Sequence, residues 1–291
     1  MSLGQKLIIN AAITGMVPMK KDNPHVPISP SEIVADARAC VDAGASIVHL
    51  HARDEHGEPT YRADIYRRIL QGVREACPDV ILCVSTSGRV FKSFEHRSAV
   101  LEIEDPRPEM ASLTLGSMNF ARQESVNSPE MIQSLARKML KLGVLPEMEC
   151  FEIGMAEYTE YLVEQQILRP PFYCNILLGS RGTLKATEFN LLAAVRALPR
   201  GTTWAGAGIG RFQLEVNTMA INLGGHVRVG LEDNLWFDRQ RGIMASNPML
   251  VERVVEIARA AGREIATPTE ARRIIGLTQE DVRAADPVTA G

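Results

Sequence analysis

The sequence predicts an α/β fold, a closed (β/α)8 TIM barrel with a short C-terminal helical extension. Three observations lead there. Short β-branched runs alternate with amphipathic helical stretches, the order that builds parallel βα units. Eight such units follow one another without a break, whereas open doubly wound sheets usually carry fewer. The chain has 291 residues, enough for the roughly 250 that a single barrel needs. The boundaries read as a barrel over residues 1–264 and, in the same domain, a helical extension and tail over 265–291.

The first strand is read over Lys6–Thr14 (KLIINAAIT). Ser29-Pro30-Ser31-Glu32 then opens a helix that runs to about Ala43 and stops at Gly44. Proline in a first turn gives up an N–H that has no helical partner anyway. The second strand is Ser46–Ala52 and its helix Ala63–Ala76. The third strand, Val80–Ser85, is followed by a shorter helix over Phe94–Leu101. The fourth, Met110–Leu115, leads to the helix Pro129–Leu142, again opened by Ser-Pro and closed by Gly143. Strand Pro146–Glu152 precedes a helix over Met155–Gln165, and strand Tyr173–Leu178 one over Thr187–Leu198. Strand Thr203–Ala207 leads to Gly210–Asn222, and strand Val227–Leu231 to Pro248–Ala261. From Ile265 the pattern reads as one or two short helices and then a loose tail, Asp286–Gly291.

With 45% of residues apolar and 23% charged, the composition supports a large core. A net charge of −3 gives no electrostatic reason to expect nucleic acid or a membrane surface as partner. The five cysteines (Cys40, Cys77, Cys83, Cys150, Cys174) are odd in number and show no CxxC spacing. Buried thiols in a reducing compartment are their plain reading. The first residues hold too short an apolar stretch for a signal peptide, and no run approaches the roughly 18 apolar residues of a membrane span. A cytoplasmic protein is the expectation.

Barrel chemistry sits at the C-terminal strand ends. The second strand ends IVHLHARD, and two imidazoles two apart on a strand share a face. Ile47 has the same parity and lies deeper, so His49 and His51 point into the barrel. They read as metal ligands or as hydrogen-bonded polar residues lining the mouth. The eighth strand ends HVRVGLEDN, with Arg228 and Glu232 on one face. Strands two and eight, separated by strand one, feed one interior layer. Glu232 can therefore complete a site of two histidines and one carboxylate, which leaves a position open for substrate. The other reading of Glu232-Asp233 is a solvated pair or a salt bridge to Arg53.

Several weaker signals surround this set. Ser85-Thr86-Ser87-Gly88-Arg89 offers donors to a carboxylate or phosphate, or is ordinary turn chemistry. Ser112, Thr114 and Asn119 fall near the same mouth. Glu147 and Glu149 share one parity in PEMECFE, with Glu152 beyond them. The turn GAGIGR after the seventh strand suits either a phosphate or close packing. His25, His56 and His96 read as solvated, and His226 lies at the opposite end of the barrel.

The motifs NAAITG, NPHVPISPSEI, AGASIVHLHARDEHGEPT, VSTSG, EMASLTLGSMNF, PEMECFE and GHVRVGLEDN occur in that order over about residues 6–260. Together they resemble the β-keto acid cleavage enzymes. That resemblance implies a TIM barrel binding zinc (Zn2+) through His49, His51 and Glu232, and a homotetramer. It also implies a reaction of a β-keto acid with acetyl-CoA that yields acetoacetate and a new acyl-CoA. Asp233 would be the base, supported by Arg228. Ser85 would bind the substrate carboxylate with Thr86, Gly88 and Ser112 or Thr114. A branch of the family acting on an amino-substituted keto acid holds the ammonium with a glutamate. The matching position here is Val17, so the substrate tail is expected to be neutral or apolar.

Two other readings remain open. A metal-dependent barrel hydrolase or retro-aldolase of another kind would want further histidines, and none lies between His96 and His226. A metabolite-binding barrel without catalysis would not need Arg228, Glu232, Asp233 and both histidines together.

Overall fold

The computed structural model describes residues 5–121 and 123–277. The expected tail, Asp286–Gly291, and any second short helix beyond residue 277 lie outside the described residues. Eight parallel strands close in sequence order: β1 (Ile9–Ala12), β2 (Ile47–Leu50), β3 (Ile81–Val84), β4 (Met110–Thr114), β5 (Leu145–Cys150), β6 (Tyr173–Leu178), β7 (Thr203–Gly208) and β8 (His226–Val229), which pairs back onto β1. The helices between and after them are α1 (Pro30–Ala43), α2 (Ala63–Ala76), α3 (Phe94–Ser98), α4 (Pro129–Leu142), α5 (Ile153–Glu164), α6 (Glu188–Ala197), α7 (Gln213–Asn222), α8 (Asn247–Ala260) and α9 (Pro268–Ile275). The (β/α)8 barrel that the alternation predicts is thus the fold.

Most elements fall within a residue or two of the pattern, and α2 and α4 fall on it. Local chemistry explains this. Ser29 accepts from the Glu32 N–H while the Glu32 carboxylate reaches back to the Ser29 N–H at 2.9 Å, and Pro30 opens the first turn of α1. The first strand is much shorter than its apolar run. Leu7 bridges Ile265 instead, and the Thr14 hydroxyl donates to the Pro27 carbonyl at 3.2 Å. A hairpin in the β4–α4 loop, Met118–Asn119 against Glu124–Ser125, has no counterpart in the pattern. Strands of two residues are too short to show a period.

Alternation along the strands sorts the apolar side chains into two sets. The outward set, including Val48, Leu82, Leu113, Ile176 and Val227, packs under the helices. The inward set, Ile8, Ile47, Ile81, Met110, Leu145, Tyr173 and Ala205, fills the lower barrel and continues into Ala271 and Ile275 of α9. Helix α9 therefore plugs the N-terminal end. Arg272 secures it, donating to the Glu109 carboxylate at 2.7 and 2.8 Å. Above this apolar floor the inward positions turn polar, at His49, Glu147, Glu149, Asn175 and Arg228. All five cysteines are buried and free. Among the described residues no helix is long and apolar enough to cross a membrane.

His226 belongs to the floor. Its Nδ1 accepts the Ile8 N–H at 3.0 Å. Burial, aided by the nearby Arg263 charge, pushes its pKa down to about 3. The unfolded chain binds this proton near the ordinary histidine value, so the neutral folded form is favoured above that value. Its contribution is lost as pH falls from about 6.5 towards 3. In His226→Asn, the unfolding free energy should fall less steeply between pH 6 and 4, by up to about 1.4 kcal/mol per pH unit. Denaturant unfolding at a series of pH values measures this, and equal slopes for the two proteins would refute it.

Candidate active site

His49 and His51 point inward from β2 and its end, as two-residue spacing on a strand requires. His49 Nδ1 lies 2.6 Å from Glu147 Oε2. That carboxylate fixes the ring proton on Nδ1 and leaves the Nε2 lone pair facing the barrel mouth. His49 Nε2 is 3.2 Å from His51 Nε2, which is 3.2 Å from Glu232 Oε1. Glu232 Oε2 stands 3.7 Å from His49 Nε2, and it is buried with no hydrogen-bond partner. One ligand atom from each of the three residues lies within 4.8 Å of the others. His49 Nε2, His51 Nε2 and the Glu232 carboxylate converge in a buried space, a donor set that suits a divalent cation. The residues thus fit a metal ion.

Glu232 reaches this position because two glycines allow the backbone through. At Gly230 a Cβ would overlap the Ala12 carbonyl, and the Glu232 N–H donates to that same carbonyl at 3.2 Å. At Gly15, φ is +70° and a Cβ would stand 2.6 Å from Glu232 Cγ. Gly15 is a positioning residue that sequence reasoning missed. Its only trace there was the final letter of NAAITG, and the positive φ it supplies is invisible without coordinates.

Arg228, 1% exposed, is the hub of the carboxylates. It donates to Glu232 Oε1 at 2.8 Å, Glu149 Oε1 at 3.0 Å and Asp233 Oδ2 at 3.0 Å, with Glu147 Oε2 at 3.9 Å. Thr114 Oγ1 donates to the other Glu149 oxygen at 2.7 Å, and Asn10 Nδ2 to Glu147 Oε1 at 2.5 Å. Glu147 and Glu149 both face inward, as their shared parity suggested.

The environment separates these acids. Burial raises every one of them. For Glu147 the hydrogen-bonded His49 and the Arg228 charge prevail and bring it down to about 2. Glu232 is held well below the carboxylate range by Arg228 and both histidines. For Asp233 and Glu149 burial prevails over Arg228, and both stay above their ordinary values. Such a split divides charge-holding groups from proton-taking ones.

The β3 end is bound to β4. The Thr86 N–H donates to Ser112 Oγ at 3.0 Å and Thr86 Oγ1 to the Ser112 carbonyl at 2.5 Å. Ser85 Oγ accepts the Ser87 N–H at 3.2 Å. Buried Arg97 braces the loop from outside, donating to the Thr86 carbonyl and Asn127 Oδ1, each at 2.8 Å. Gly88 lies against it, where a Cβ would be 2.5 Å from Arg97 Nη1. Val17 stands exposed on the first loop. Arg53 makes no ion pair with Glu232 or Asp233. It donates to the carbonyls of Gly15 (2.8 Å), Pro18 (2.9 Å) and Gly57 (3.1 Å), clamping the first two loops together. In the glycine turn after β7, the Gly210 N–H donates to the Asp233 carbonyl at 2.7 Å and so helps hold Asp233. His96 is exposed but stacks on Tyr61, with centroids 3.8 Å apart.

Comparison with known proteins identifies the family. A family described as beta-keto acid cleavage enzyme matches residues 6–277. The chain is 42% identical over 275 residues to the 3-keto-5-aminohexanoate cleavage enzyme of Fusobacterium nucleatum subsp. nucleatum, covering 94% of this chain and 98% of that one. It is 36% identical over 286 residues to the 3-oxoadipate:acetyl-CoA acetyltransferase of Cupriavidus necator, covering 97% and 99%. Among solved structures, apo ObcA is similar in fold, with a TM-score of 0.77 at 22% identity over 87% of this chain and 66% of that one.

The ligand geometry generates a prediction. Glu147→Gln offers His49 Nδ1 an amide in place of a carboxylate, and Gly15→Ala pushes on Glu232. Each should weaken divalent-metal affinity about 10- to 100-fold, measured by competition with a chromophoric chelator. Unchanged affinity in both variants would mean that neither residue supports the site.

Proposed function

The chain belongs to the β-keto acid cleavage enzyme family, and on that premise we propose that it converts a β-keto acid and acetyl-CoA to acetoacetate and a new acyl-CoA. It is an acyltransferase that cleaves a carbon–carbon bond. The observation that carries this reading is one buried cluster in which the His49–His51–Glu232 ligand set shares Arg228 with Asp233.

We assign zinc to the ligand set, because two imidazoles and one carboxylate with an open position suit a catalytic zinc. When bound, the ion supplies a Lewis acid for the ketone oxygen of the substrate. Asp233, which burial makes more proton-avid than usual, takes the proton from the carbon between ketone and carboxylate. Arg228 donates to Asp233 at 3.0 Å, orients it and balances the negative charge that develops. The Ser85 hydroxyl, the Thr86–Gly88 segment and Ser112 or Thr114 receive the substrate carboxylate. The overall exchange balances: the acetyl group of acetyl-CoA replaces the original acyl group on the activated carbon, and the displaced acyl group leaves on the CoA sulfur. By family resemblance we also propose a cytoplasmic homotetramer. Light scattering should return four times the 32.0 kDa chain mass.

The deciding assay mixes acetyl-CoA with a set of β-keto acids and follows acetoacetate and acyl-CoA. Chelator should abolish turnover and zinc should restore it. A His49→Ala, His51→Ala double variant should lose its metal, and stoichiometric zinc in that variant would overturn the site.

The substrate tail follows from Val17. A valine offers an ammonium no counter-charge, so we propose a neutral or apolar tail, although the Fusobacterium relative is named for an aminated substrate. The wild-type kcat/KM should be at least about tenfold higher for neutral-tailed keto acids than for aminated ones, with Val17→Glu narrowing the gap. A preference for the aminated acid would reverse this assignment.

A further inference from the structure

Arg89 follows Gly88 at the end of the β3 loop and is half-buried. Its guanidinium stacks on Phe120 with the central carbon 3.7 Å from the ring centroid. Phe120 stands edge-on to Phe151, 88° apart in plane with centroids at 5.6 Å. The platform is therefore an aromatic pair built from the hairpin and the top of β5. The loop beneath is fixed by the Arg97 bonds to Thr86 and Asn127.

Three buried arginines around this mouth already donate to partners. Arg53 and Arg97 donate to carbonyl and amide oxygens, and Arg228 to carboxylates. Among the described residues the Arg89 guanidinium has no hydrogen-bond acceptor and no carboxylate within ion-pair distance. Stacking leaves the edge of a guanidinium free for a planar, two-oxygen acceptor. The charges of Glu232, Glu149 and Asp233 offset part of the burial that depresses the Arg89 pKa, so its head lies within electrostatic reach of the reaction centre.

The charge balance says what that head is for. Four carboxylates face Arg228. With one guanidinium and a divalent ion set against them, one formal negative charge remains. An anionic substrate entering such a pocket is repelled unless a further cation meets it.

Resting on the proposed function, we propose that Arg89 is a specificity-determining residue that takes the reacting carboxylate of the β-keto acid in a two-pronged ion pair against the Ser85–Gly88 loop. The phosphates of CoA and a carboxylate in the substrate tail are the rival occupants, and kinetics separate them.

The test compares wild type with Arg89→Met and Arg89→Lys. For a monocarboxylic β-keto acid, KM should rise about tenfold or more in Arg89→Met, with KM for acetyl-CoA unchanged and partial recovery in Arg89→Lys. Calorimetric titration of the zinc-loaded protein with acetoacetate should show the same loss of affinity without turnover, while melting temperature stays put. A raised KM for acetyl-CoA alone, an effect confined to dicarboxylic keto acids, or no change in either KM would each overturn the proposal. Should wild type show no turnover, the functional reading fails, and titration with malonate still decides the anion site. Weaker malonate binding by Arg89→Met supports it, and equal affinity of the two proteins refutes it.

Discussion

A guanidinium buried to 1% exposure must be neutralised where it sits, and Arg228 imposes that constraint on the whole upper barrel. Glu149, Glu232 and Asp233 answer it within 3.0 Å, with Glu147 just beyond. One cation thereby orients both Glu232, of the proposed metal site, and Asp233 beside it. Removing any one acid would leave the others with a surplus or deficit of charge in a low dielectric. The excess of acids over Arg228 makes the cluster attractive to a cation. His49 and His51, whose Nε2 atoms face the same space, offer the nitrogen donors of the proposed metal site.

This polar cluster is possible because the barrel interior is divided by height. Ile47, Ile81, Met110, Leu145 and Tyr173 form an apolar floor that α9 closes from below. Water is kept from beneath, so hydrogen bonds and ion pairs above the floor act in a medium less polarisable than bulk solvent. The same strands carry both levels. Met110 packs in the floor and Thr114, four residues on, donates to Glu149. Fold stability and site electrostatics are thus separate rows of one set of strands.

Features set by periodicity were legible in the sequence. Strand parity placed His49 and His51 inward and put Glu147 and Glu149 on one face, and barrel order brought Glu232 to the histidines from the far side of β1. Caps such as Ser29 with Glu32 marked helix starts because their hydrogen bonds are local. Other features rested on contacts far apart in sequence. The Gly15 approach to Glu232 spans the whole barrel, and the Arg53 clamp joins carbonyls that no side-chain pattern announces. The hairpin carrying Phe120 is too short to show alternation, so the platform under Arg89 was hidden with it. The pairing of Arg53 with Glu232 or Asp233, a natural guess from charge alone, fails because backbone carbonyls already take its Nη1 and Nη2.

The choice of carbonyls over acids as partners lets the mouth be rigid without losing its charge. Arg53 and Arg97 brace loops by donating chiefly to carbonyl and amide oxygens, which are dipoles and carry no net charge. Had they been tied down by acids, the rim would have gained carboxylates and its field would have repelled an anionic substrate. Using dipoles as acceptors confines acids to the centre, where Arg228 meets them. It leaves Arg89, stacked on a ring and not on an acid, as a rim cation with its charge still available.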